Sequence, residues 1–228
     1  MRHIFLALFF LGLTSLANAQ ETGPGYIQLL LGELKLNDET VSITRDDIDF
    51  EGAIDSLPYV GGAVQMPIKD DVIGYGWEGG GFISWENNKV DYYASSGSNG
   101  GTIGIRVDNA FWSFETFLGF YGSVKPLERL RFYASAGPLF MFAQAESDDI
   151  DEEVTVDGSS VQVYQGSKTD SDFVLGWYSR IGADIRLNQQ TWVGISVRHM
   201  DADVDLSKAA GQFDINGELY LLSITNRY

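Results

Sequence analysis

The chain ends in Gly217–Tyr228, GELYLLSITNRY. Tyr220, Leu222, Ile224 and Tyr228 fall on one face of an extended strand, and Ser223, Thr225 and Arg227 fall on the other; only Asn226 breaks the apolar face. Alternation at period two marks a strand with apolar surroundings on one side and polar surroundings on the other. Such a strand, running to an aromatic residue, suits a sheet closed on itself, in which the last strand pairs with the first and the apolar face meets hydrocarbon.

The same pattern recurs upstream. In Asp172–Leu187, Phe173, Leu175, Trp177, Ile181, Ala183, Ile185 and Leu187 share one face, against Gly176, Tyr178, Arg180, Gly182, Asp184 and Arg186. A face of glycines and charges is not the core side of a dry sandwich. Thr191–Leu206 follows the connection Asn188–Gln190, with Val193, Ile195 and Val197 opposite Gly194, Ser196 and Arg198. Phe111–Val124 sets Trp112, Phe114, Leu118 and Phe120 against Ser113, Glu115, Gly119 and Tyr121, and Leu130–Glu146 sets Phe132, Phe140 and Phe142 against Arg131, Tyr133 and Ser135. Pro138 removes a ladder donor, so a bulge is expected there. The first half is less regular: Gly25–Leu36, Val72–Glu86 and a short strand over Lys89–Ala94, with Asn87–Asn88 read as a turn.

The count is eight strands. Short connections (Asn87–Asn88, Lys125–Arg129, Asn188–Gln190) alternate with long ones (Asn37–Asp71, Ser95–Ala110, Ser147–Ser171, Ser207–Asn216). The expected fold is all-β: a transmembrane antiparallel up-and-down barrel with short periplasmic turns and long external loops. Ten strands result if Val41–Asp49 and Tyr59–Ile68 enter the membrane as a hairpin; the preferred reading keeps them as an external hairpin or ordered loop.

Residues 1–19 read as a secretory signal: a polar start at Arg2 and His3, an apolar run Ile4–Leu16, and the small-residue site Ala17-Asn18-Ala19. The apolar run is shorter than the roughly 20 residues of a spanning helix, and no later segment approaches that length. The expected folded unit is Gln20–Tyr228, a single barrel domain. There is no cysteine, which excludes disulfide scaffolds and thiolate metal sites. A net charge of −17 repels phosphate backbones, so no nucleic-acid partner is expected.

The strands GYGWEGGGFISWE (Gly74–Glu86), WYSRIGADIRL (Trp177–Leu187), WVGISVRHMDADVDL (Trp192–Leu206) and the final strand resemble those of small eight-stranded outer-membrane barrels related to the membrane domain of OmpA-type porins. The chain's ending resembles the C-terminal signal such proteins show to their assembly machinery. The resemblance implies a Gram-negative outer membrane, contact with its lipid and lipopolysaccharide, and a monomer. It carries over no peptidoglycan anchor, because the chain stops at its last strand.

Several groups are candidates for chemistry. The inward face is expected to gather Glu78, Glu86, Asp91, Glu115, Arg131, Arg180, Asp184, Arg186, Arg198 and Arg227. Charges of both signs in so narrow an interior should pair into a structural network; a gated conduit for small solutes is the alternative. Trp77, Trp85, Trp112, Trp177, Trp192 and Tyr228 are expected to form aromatic girdles at the membrane interfaces. Asp201, Asp203 and Asp205, with Asp148, Asp149, Asp151, Glu152 and Glu153, form an acidic rim and a weak cation candidate. An EF-hand is rejected, because Leu206 and Gln212 stand where Gly and Glu are required. Gly79-Gly80-Gly81 has no following helix to make a phosphate cradle. Apart from His3 the one histidine is His199, on the expected lipid side, and Ser196 three residues away points to the other face. No catalytic residue and no cofactor are expected, and a rim enzyme acting on lipids is the least favoured reading.

Overall fold

The computed structural model describes residues 25–36, 40–45, 48–53, 56–96, 101–147, 152–156, 159–163, 168–206 and 211–228, with side chains for 25–35, 56–85, 110–146, 169–206 and 215–228. The signal expected over residues 1–19 lies outside these residues. The strands are β1 (Tyr26–Leu36), β2 (Thr40–Arg45), β3 (Ile48–Ala53), β4 (Ser56–Lys69), β5 (Ile73–Ser96), β6 (Gly101–Leu127), β7 (Leu130–Ser147), β8 (Glu152–Val156), β9 (Ser159–Val163), β10 (Lys168–Arg186), β11 (Thr191–Leu206) and β12 (Gly211–Arg227).

Among the described residues, eight strands close one antiparallel ring in the order β1-β4-β5-β6-β7-β10-β11-β12, and β12 returns to β1. The closing ladder runs from Tyr26↔Arg227 to Leu36↔Gly217, and the backbones of Gly25 and Tyr228 exchange hydrogen bonds at 3.2 and 3.1 Å. Closure leaves no open edge within the ring. Among the described residues β8 and β9 form a separate two-stranded sheet, and β2–β3 joins the sheet beside β5 through Glu51↔Tyr93.

The count of eight stands, but one of the eight expected strands does not. Asn87 and Asn88 are not a turn. They lie inside β5, opposite Ala110 and Asn109 of β6, and Lys89–Ala94 is the continuation of that strand. The eighth ring strand is β4, where the sequence suggested an external hairpin or ordered loop. It pairs with β1 through Tyr26↔Gln65 to Lys35↔Ser56 and with β5 through Tyr59↔Ser84 to Lys69↔Tyr75. Two prolines and a Gly61-Gly62 pair blunt its alternation, which hid it. The ten-strand alternative falls away, because Val41–Asp49 maps onto β2–β3 outside the ring.

Tight connections gather on one rim: Asp70–Val72, Glu128–Arg129 and Leu187–Gln190. Backbone bonds link this turn rim around the barrel, from Lys125 N–H to the Val72 carbonyl (2.8 Å), Arg186 N–H to Arg129 (2.9 Å) and Arg227 N–H to Gln190 (2.8 Å). The other connections lie at the opposite end, the loop rim, where two of the expected long loops are largely strand: Ser95–Ser96 and Gly101–Ala110 belong to β5 and β6, and Gly211–Asn216 to β12. Pro138 makes no bulge: Pro138↔Trp177 stays in register, and the β6–β7 ladder only skips pairs between Phe117↔Leu139 and Phe120↔Ala136. The register shifts lie instead at Pro67/Lys69 and Val124/Leu127, beside tight turns.

The faces separate as alternation requires. Phe173 (67% exposed), Trp177 (66%), Ile195 (63%) and Leu222 (66%) stand on the outside, while Arg180 (1%) and Glu115 (0%) are buried within. The interior itself has two halves. Toward the turn rim it is polar. Toward the loop rim it is apolar and filled by Leu30, Leu34, Leu57, Met141, Met200, Val204 and Leu219, each buried. A hydrophilic lining throughout was expected, so this is a correction. The sequence signal was present: Leu29-Leu30-Leu31 and Leu139-Phe140-Met141-Phe142 are apolar on both faces, as strands covered on both sides are.

Candidate functional site: the buried charge network

Three ion pairs occupy the polar half. Arg131 and Asp184 face each other directly across the β7–β10 ladder and are joined by two donors of the guanidinium, Nε at 3.1 Å and one terminal nitrogen. The second pair crosses the lumen. Arg180 of β10 donates to Glu78 of β5 at 2.6 Å, and Glu78 also accepts from Gln65 (2.6 Å), Ser135 (2.8 Å) and Tyr178 (3.4 Å). The third pair also crosses the lumen: Arg198 of β11 meets Glu115 of β6 at 2.6 Å. Its angle leaves both groups without a well-formed hydrogen bond, and Arg198 lies 4.7–5.0 Å from the rings of Tyr178, Phe117 and Phe82. Aromatic faces attract a desolvated guanidinium, which offsets part of what the poor alignment loses.

Arg180 and Arg198 stand directly opposite each other on β10 and β11. Like charges in that relation repel. Here each is drawn to its own carboxylate on the far wall. Among the described residues, three buried arginines face three buried carboxylates, so the charges of the polar half balance, as a confined low-dielectric space requires. Glutamines extend the network. Gln28 accepts from Arg180 (2.6 Å) and donates to Thr225 (3.2 Å), and Gln65 accepts from Arg131 (3.0 Å). Two glycines make room for it. A Cβ on Gly182 would strike the Tyr133 ring, and one on Gly194 would strike the Asp184 carboxylate.

At the turn rim Asp70 gathers donors: the Tyr26 hydroxyl (3.0 Å), Arg227 (2.9 Å) and Lys125. Arg186 is partly exposed, 3.6 Å from Glu128. Glu86 and Asp91 lie on β5, but their side chains are outside the described residues. Of the ten charges expected inward, Glu78, Glu115, Arg131, Arg180, Asp184 and Arg198 are buried and Arg186 and Arg227 are partly exposed at the turn rim, while alternation missed the polar partners Asp70, Gln28 and Gln65. Two of these sit in or beside the unrecognised β4, and glutamine carries no charge to flag it.

Four of the six expected girdle aromatics stand exposed: Trp77 (42%), Trp85 (49%), Trp177 (66%) and Tyr228 (46%). Trp112 is half-covered and donates its indole N–H to Gln144 at 3.0 Å. Trp192 is a correction. It is buried, on the inward face, with Arg186 over its ring at 5.7 Å. Its even position, shared with Gly194, Ser196 and Arg198, already put it there.

Asp201, Asp203 and Asp205 are exposed on the outer face of β11. Among the described residues no group of three or more metal-binding side chains is close enough to hold an ion; Asp148, Asp149 and Asp151 are outside them. His199 is exposed between Ser179 of β10 and Glu218 of β12 in the ladder. A serine, a histidine and a carboxylate in a row have the composition of a hydrolytic relay. No hydrogen bond joins them, and the Glu218 carboxylate instead accepts from Tyr220.

No family model matches the chain, and no curated protein matches it. Among solved structures, the attachment invasion locus protein Ail of Yersinia pestis is similar over 90% of this chain and 99% of its own, at 11% identity and a TM-score of 0.44. Neisserial surface protein A is similar over 90% and 97%, at 10% identity and 0.37. The outer membrane protease OmpT from Escherichia coli is similar over 90% and 94%, at 7% identity and 0.45. At scores this low the likeness carries no argument beyond the ring that the ladders themselves establish.

Proposed function

We propose that this chain is an integral outer-membrane β-barrel protein of a Gram-negative envelope, of the small OmpA-like kind, with a structural or surface-interaction role and neither catalytic nor conducting. The observation that carries the reading is the inversion of the two faces: large apolar side chains stand exposed around a closed ring while three arginines and three carboxylates are buried inside it. A surface of that kind aggregates in water and is stable against hydrocarbon, where closure satisfies every ladder donor and acceptor. The same interior argues against a conduit. The polar half is tied shut by salt bridges across the lumen, and among the described residues the apolar half buries no charged group, only the hydroxyls of Tyr59, Ser84 and Ser113.

The partners of this reading are outer-membrane lipid and lipopolysaccharide, with the assembly machinery engaging the last strand, and the barrel works as a single copy without nucleic acid. Recognition falls to the loop rim, where β5 and β6 stay paired out to Ser96↔Gly101. A spanning strand needs only about 9–11 residues, and β5 and β6 have 24 and 27. The excess projects beyond the bilayer as a surface for contacts.

The test is detergent extraction of outer membranes followed by gel migration with and without heating, then reconstitution in planar bilayers. The expected result is heat-dependent migration with no current above the bare bilayer. Recovery in the soluble periplasmic fraction overturns the membrane reading. A steady single-channel current overturns the closed-lumen reading. A changed lipid A or phospholipid mass profile, abolished by His199→Ala, overturns the non-catalytic one.

A further inference from the structure

The apolar outer surface does not have the same height all round the barrel. At the rung Trp177↔Asp201 of the β10–β11 ladder the two strands diverge in character. Beyond it toward the loop rim, the outward residues of β11 are Asp201, Asp203 and Asp205, while those of β10 are Leu175 (64% exposed) and Phe173 (67%). The neighbouring β7 continues the apolar side: Leu175 stands opposite Phe140 and Phe173 opposite Phe142, with the Phe140 and Phe173 rings 6.4 Å apart. From Trp177 to Phe173 this flank climbs roughly 10 Å further along the barrel axis, at ~3.3 Å per residue and a tilt of ~40°. One rung above Phe142 on β7, Trp112 donates to Gln144, an amphipathic ring with its polar end bonded, as at a membrane interface.

Resting on the outer-membrane reading above, we propose that the β7–β10 flank is covered by lipid acyl chains up to Phe173, so that the barrel sits inclined in the bilayer with its acidic β11 flank in water. Continuity argues for acyl chains as the occupant. The surface runs without a charged outward residue from Leu187 to Phe173 and joins the lipid-facing band below it. A taller apolar side is accommodated by inclination or local thickening of the bilayer. Aspartates on the adjacent strand at the same level cannot enter hydrocarbon without large cost, so a single upright position cannot satisfy both flanks.

The chain has no cysteine, so single cysteines can be labelled without a background. Phe173→Cys, Leu175→Cys, Asp203→Cys and the control Leu222→Cys, all outward-facing, are labelled with bimane and folded into phosphatidylcholine vesicles with brominated acyl chains. Heat-dependent gel migration confirms folding of each. The expected result is loss of fluorescence to brominated lipid at 173, 175 and 222, and to aqueous iodide at 203. Iodide quenching at 173 and 175 with lipid quenching kept at 222 overturns the inference and leaves the membrane reading standing. Iodide quenching at 222 as well overturns both. Protection of 173 and 175 from both quenchers, with energy transfer between labelled copies, places a second copy on the flank and overturns lipid as its occupant.

Discussion

Arg180 shows how a single buried charge is held. Its guanidinium reaches Glu78 and Gln28, both at 2.6 Å, and lies 5.0 Å from the Tyr133 ring. Removing one partner of a buried pair leaves the other charged and desolvated, at a cost of about 3–5 kcal/mol. Arg180→Met should therefore lower stability by about that amount in urea unfolding from vesicles. Glu78→Gln in the same protein should recover part of the loss, because the orphaned carboxylate is gone. Strictly additive losses would show that the two side chains do not act as a pair. Alternation in the sequence announced that Arg180 faces inward. That its carboxylate would be Glu78, on the far wall, was not legible, since strand period gives a face and never a partner across a lumen.

The strand β4 is the element most at odds with its sequence. Pro58, Gly61, Gly62 and Pro67 are poor strand formers, yet the segment is paired on both sides for most of its length. Partners override propensity here. Val60, opposite Leu31 on β1, faces outward and is 36% exposed. If the outer face meets lipid, Val60→Arg should cost roughly 2–4 kcal/mol near the bilayer midplane and less toward an interface, measured as the shift in unfolding free energy in vesicles. A neutral result would return Tyr59–Ile68 to an external loop. The β5–β6 hairpin shows the opposite error. Asn87 and Asn88 look like a turn because asparagine is a turn former, but a ladder already running from Ile73↔Val124 carries them along as ordinary strand.

The whole barrel is a neutral, salt-bridged half joined to an apolar half. Its net charge of −17 is carried elsewhere than in the three buried pairs, which balance one another. Screening acts on exposed charges and little on buried ones. The unfolding midpoint in neutral vesicles should therefore fall by no more than a small fraction between about 0.1 M and about 1 M sodium chloride. A steep fall across that range would mean that solvent and ions reach the pairs, and that the lumen is open.

The amino-acid order determined the two-faced character of most strands, the direction in which each face points and the sign of the charges inside, because period two is a local property of extended backbone. Parity placed Trp192 inside, beside Arg198, although the aromatic-girdle rule had assigned it to the interface. The three-dimensional ring alone decided which segment is the eighth strand, which carboxylate each arginine finds and where the interior changes from polar to apolar. Those outcomes depend on register and on contacts across the lumen, and both are set only once every strand has found its two neighbours.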